Sequence, residues 1–83
     1  MIFADGFEKA FLGVGTQFNK KVAVYSSKEV ILNLMADSDM TFDEAVEYFY
    51  YNIVGSYVGE ETPVFLEEMS HKEAERRAER GEE

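Results

Sequence analysis

From Glu29 to His71 the chain runs 43 residues without a lysine or arginine, yet it carries ten carboxylates and four of the five tyrosines. A fold built from this stretch has no counter-charge of its own, so its surface repels itself and packing must hold it together. Such an acidic, aromatic surface makes most sense if a basic partner or a need for solubility stands behind it.

Packing of that kind is within reach. The 83 residues suffice for one small domain, and seven Phe and five Tyr supply large side chains, each burying roughly 150–250 Å² when enclosed. There is no cysteine, so neither disulfides nor a Cys/His zinc set can staple the fold, which is left to its core or to an oligomer interface. The opening Met1–Gly6 has neither the basic nor the apolar region of a secretory signal, and no apolar stretch approaches the roughly 20 residues that span a bilayer. The expectation is a cytoplasmic protein. A net charge of −9 repels nucleic acid and anionic membranes alike, so neither is an expected partner.

The expected elements follow in the order β-β-α-α-β. Residues 10–15 and 22–25 are short runs of β-branched, aromatic and small side chains and predict a hairpin, with the polar Thr16–Lys21 as a longer loop. Ser26 and Glu29 form a capping-box pair opening a first helix whose apolar face is Val30, Ile31, Leu34 and Met35, and Asp37–Asp39 ends it. Thr41 and Glu44 form a second capping box, with Asp43 near the positive end of the helix dipole. Phe42, Ala45, Val46, Phe49 and Ile53 then recur as one apolar stripe, expected to be buried. Gly55 is expected in the left-handed conformation that closes a helix. Val64–Leu66 is a third short strand, with Pro63 suited to its start.

These elements predict an α+β domain over residues 5–66: a small antiparallel three-stranded sheet with both helices on one face. The uncovered sheet face must then be polar, capped by the tail, or paired with another copy. A homodimer is one expected outcome. Residues 67–83 form a charged tail in which only Met69, Ala74 and Ala78 can pack, expected to be disordered or a solvated helix.

No pattern points to catalysis or a metal. Gly13-Val14-Gly15 lacks the third glycine and the following helix of a nucleotide loop, and reads as a bulge or turn. Asp37-Ser38-Asp39 with Thr41 and Asp43 resembles the start of a calcium loop, but Phe42 stands where the glycine is required and Tyr48 where the bidentate glutamate belongs. His71 is the only histidine, and no glycine-flanked serine elbow is present, so nucleophilic triads and classical zinc sites are excluded. The expectation is a non-enzyme without cofactor or metal.

The outer side of the second helix is the candidate site. At 100° per residue Asp43, Glu47 and Tyr50 share one flank, while Glu44, Tyr48 and Tyr51 lie opposite the apolar stripe. Tyrosine buries area at an interface with little entropy loss, and the neighbouring carboxylates would receive Arg or Lys. Glu60 and Glu61 extend this acidic partner-binding set. Two other readings stand beside it: a small-molecule-binding protein or enzyme built on the Gly55–Glu61 loop with Thr62, and a virion structural or assembly component.

The segments Gly13–Thr16, Val22–Tyr25, Met40–Phe49 and Gly55–Glu60, followed by Thr62–Phe65, together resemble a group of small acidic proteins of bacteriophages and prophages. The likeness covers about residues 5–66. It carries no residue roles. It implies a setting, a phage protein made in the bacterial cytoplasm, where acidic anti-defence inhibitors of the anti-CRISPR kind block host proteins with basic surfaces.

Overall fold

A computed structural model describes residues 1–56 and 58–81. After a single 3-10 turn at Glu8–Ala10 come strands β1 (Phe11–Gln17) and β2 (Lys20–Ser26), then helices α1 (Ser27–Asp37) and α2 (Phe42–Tyr48). A π-helical segment (Phe49–Val54) continues α2, and strand β3 (Val64–Leu66) and helix α3 (His71–Glu79) complete the chain. The fold is α+β with a three-stranded sheet in the order β1-β2-β3. The first five strands and helices keep the expected sequence, joined by the 3-10 turn, the π segment and α3.

The sheet is mixed, which corrects the antiparallel expectation: β1 pairs with β2 antiparallel, but β3 runs parallel to β2. The segment between Val54 and Val64 decides this. Its Glu60 and Glu61 lie beside Lys20 and Lys21, so the chain has returned to the hairpin end of the sheet and re-enters in the direction of β2.

The hairpin is also tighter than expected. Only Phe18 and Asn19 connect the strands, and the polar Thr16, Gln17, Lys20 and Lys21 extend the ladder. Polar residues suit exposed strand ends, so the pairing runs on to the turn. Phe18 takes a left-handed φ of 58° there, a conformation that side chains of its size rarely adopt. The register slips between Phe11 and Gly13, so the first glycine of the Gly-Val-Gly motif follows a bulge.

Both α1 and α2 begin as their sequences require. The Ser26 hydroxyl accepts the Glu29 amide at 3.2 Å, although Glu29 makes no return bond among the described residues; Ser26 also pairs with Leu66 in the sheet. At α2 both halves of the capping box form, Glu44 N–H to Thr41 Oγ1 at 3.2 Å and Thr41 N–H to Glu44 Oε1 at 2.9 Å. Val30 and Leu34 are buried with Ile31 and Met35 packed beside them, as the apolar face of α1 predicts.

The core joins Ala10, Ala23, Tyr25, Val30, Leu34, Ala45 and Phe49. Three of the seven are alanines, which let backbones approach closely, and aromatic rings fill the remaining volume. Phe3, Phe11, Tyr25, Phe65, Phe49 and Tyr50 contact one another in series at centroid distances of 5.1–6.0 Å. The Phe49–Phe65 pair stands edge to face at 89°, a favoured arrangement of ring quadrupoles. The buried Tyr25 hydroxyl accepts the Ala4 N–H at 2.8 Å, and Asn33 donates to the Gly6 carbonyl at 3.0 Å. Those two bonds tie the N-terminal segment to β2 and α1.

The stripe on α2 is buried only in its middle. Ala45 and Phe49 are enclosed and Ile53 packs against the core, whereas Phe42, at the first helical position, projects past it and remains 58% exposed. Gly55 is not left-handed: its φ is −72°, and its N–H closes a π-type bond to the Tyr50 carbonyl at 3.2 Å. Glycine serves there for space, since a Cβ would stand 3.0 Å from the Tyr51 carbonyl oxygen. Helix α3 forms behind a Ser70 cap with no residue buried. Its Glu73 and Arg77 are half-buried.

Candidate functional site

One shallow depression of about 430 Å³ on the outer side of α2 and the π segment gathers five of the eight expected residues: Asp43, Glu44, Glu47, Tyr48 and Tyr51. Met40 and Asn52 complete its lining. No lysine or arginine borders it, and among the described residues no ion pair reaches Asp43, Glu44 or Glu47. Tyr51 is 79% exposed, so most of its ring faces solvent, as its place opposite the buried stripe requires.

The carboxylates are not equivalent. Glu44 is committed to the capping box, and the Thr41 backbone N–H, followed by the Thr41 hydroxyl, holds its carboxyl below the ordinary glutamate value. It therefore stays ionised under mildly acidic conditions but has less freedom to turn toward a partner. Asp43 and Glu47 are exposed and unpaired, free to accept from an arginine fork or an ammonium group.

Three expected members lie elsewhere. Tyr50 lines a different hollow with Ile31, Leu32 and Phe42, and its ring meets Phe49 edge-on at 5.1 Å. Tyr50 stands at the edge of the Asp43–Glu47 flank nearest the Phe42–Phe49 stripe, and it packs to that side. Glu60 and Glu61 sit at the hairpin end beside Lys20 and Lys21, where Glu61 pairs with the Met1 ammonium. They are separated from the depression because residues 55–63 carry the chain back along the sheet.

Met40 and Asn52 were missed, although a signal existed for Asn52, which follows Glu44 and Tyr48 at four-residue spacing, while Met40 precedes the Thr41 cap. A search for charge and tyrosine passes over both. In the Gly55–Glu61 loop, read as a ligand cradle, Thr62 takes up one N–H and one carbonyl. The Thr62 hydroxyl donates to the Gly59 carbonyl at 2.6 Å and accepts the Val58 N–H at 3.0 Å. Tyr57 of that loop lies outside the described residues. His71 is exposed and bonds Glu75 at 3.0 Å along α3.

Among the described residues no group of three metal-ligating side chains converges. Among them also, no helix is long and apolar enough to cross a membrane. Comparison with protein families, curated proteins and solved structures finds no match.

Proposed function

We propose that this chain is a non-catalytic protein-binding module that works in the bacterial cytoplasm in a phage setting, using the α2 depression to engage a basic surface of a host protein. A nucleic-acid-binding or defence complex is the class of target whose groove carries such charge. The observation that carries the reading is the meeting of Asp43, Glu47, Tyr48 and Tyr51 around one depression with no cation of the chain beside it. Carboxylates without internal partners steer a cationic surface toward the site, and the tyrosines then supply area that buries on contact.

The test is capture from bacterial lysate on immobilised wild-type protein, beside a D43N/E47Q variant and a Y51A variant, at two salt concentrations. The expected result is a partner that the charge variant captures more slowly and that weakens as salt rises. From the Tyr51 variant it should dissociate faster with the salt dependence unchanged. Equal capture by all three proteins would exclude the depression as the binding surface.

A further inference from the structure

We infer that two copies of this chain associate through the outer face of the sheet, antiparallel about a two-fold axis. Strand alternation assigns Tyr25, Ala23 and Phe65 to the core side and leaves Val22, Val24, Val64 and Leu66 on the other, opposite Gly13 and Gly15 of β1. This face meets none of the conditions that let a sheet stand open to water. It is not polar: its centre is four aliphatic side chains and two glycines, with Val22 and Val24 half-buried and Val64 and Leu66 46% and 42% exposed; the one hydroxyl on it, Ser26, is buried at the α1 cap. Nor does the tail cover it with a packed helix: α3 has no fully buried residue, and its half-buried Arg77 pairs with Glu67, which alternation puts on the Phe65 side of β3.

The shape of the face suits a second sheet. At Gly15 a Cβ would stand 2.9 Å from Val24 Cγ2, so the valine lies across β1 and no side chain from that position rises off the plate. A flat aliphatic layer can meet its own copy at the usual spacing of about 10 Å between packed sheets.

Charge then selects the occupant and its direction. The face carries Lys20 at its hairpin end, and Glu68 follows Leu66 beyond the other end; neither makes an ion pair among the described residues. An antiparallel two-fold places Lys20 of each copy toward Glu68 of the other, whereas a parallel arrangement sets like charges together. No carboxylate lies on the strands between them, and Glu60 and Glu61 at the hairpin end are offset by Lys20, Lys21 and the Met1 ammonium, so two chains of net charge −9 approach here with less repulsion than their helical faces impose. Three strands about 4.8 Å apart offer only a few hundred Å² per copy, below the roughly 800 Å² of a standard interface. The dimer is therefore reversible and depends on concentration.

Sedimentation of the purified protein from about 10 μM to 1 mM tests this without any host partner, so the result is independent of the α2 reading. The expected result is a mass rising toward twice 9.5 kDa in the wild type and in D43N/E47Q, and a constant monomer in Val64→Glu with unchanged far-ultraviolet circular dichroism. Because the chain has no cysteine, Val24→Cys supplies a second readout that does not depend on how V64E folds. Mild oxidation should cross-link it across the axis, while Glu47→Cys should stay monomeric. A wild type that remains monomeric at 1 mM, a dimer that survives V64E, loss of the dimer in D43N/E47Q, or equal cross-linking of the two cysteine variants would each overturn the proposal.

Discussion

Two exposed faces of this small protein are opposites. The depression on α2 presents carboxylates, tyrosine rings and an amide, whereas the outer sheet face presents valine, leucine and glycine. Both rest on the same aromatic series: Phe49 supports the helix from below, Phe65 projects from β3 on the core side, and the two rings meet at 5.4 Å. The contrast shows how a chain with so few cations distributes its surface. Charge that cannot be neutralised internally is spread over a helix whose caps and dipole tolerate it, and the strands, whose second face leaves Val64 and Leu66 exposed, are kept free of carboxylates.

The comparison breaks most completely at the shared support. Phe49→Ala removes a ring 1% exposed and should cost about 3–5 kcal/mol, a large part of the stability of so small a domain. Thermal denaturation followed by circular dichroism should show both the helical and the strand signal lost together. Separate transitions would mean that the two faces are supported independently.

A smaller change sharpens the sheet side. Phe18 is 98% exposed and left-handed, so Phe18→Asn should raise stability by about 1 kcal/mol by relieving the backbone without removing a core contact. The melting temperature should rise by about 4–8 °C. A fall would show that the ring is held by contacts that its exposure does not reveal.

Removal of α3 by ending the chain after Glu68 should matter less, because the helix has no fully buried residue and only Glu73 and Arg77 are half-buried. The melting midpoint should stay within a few degrees. A large loss would mean that the Arg77–Glu67 bond of 2.8 Å anchors the end of β3.

On the helix side, D43N/E47Q should alter stability by about 0.5 kcal/mol or less, since lost dipole stabilisation at Asp43 opposes relieved repulsion. The same pair should change association rates clearly, and that separation of effects is what distinguishes a binding surface from a structural one.

The least effect is expected from pH, through Glu44 alone. Its folded-state value is lowered by Thr41, so its contribution is present above the ordinary glutamate value and is lost as pH falls through the lowered one. The melting difference between wild type and Glu44→Gln should be constant near neutrality and narrow on acidification. A difference that widened toward low pH would contradict the capping geometry.

Local chemistry was legible where a few neighbouring residues settle it. Thr41 with Glu44 and Ser26 with Val30 and Leu34 announced two helices and their buried faces, because caps and 3.6-residue periodicity act within a turn or two. The grouping of Asp43, Glu44, Glu47, Tyr48 and Tyr51 around one depression was legible for the same reason, since they lie on one helical surface. Tertiary structure decided what depends on distant segments. Whether β3 ran parallel or antiparallel rested on where residues 55–63 returned the chain, which no local pattern encodes. That return also removed Glu60 and Glu61 from the acidic group. Tyr50, at the edge between the acidic flank and the apolar stripe, was assigned to the Phe42 side by packing rather than by periodicity. The aliphatic outer sheet face belongs to the same class. Val22, Val24, Val64 and Leu66 announce strands by themselves, but only the placement of both helices on the other side determines that Val64 and Leu66 remain exposed while Val22 and Val24 are half-buried.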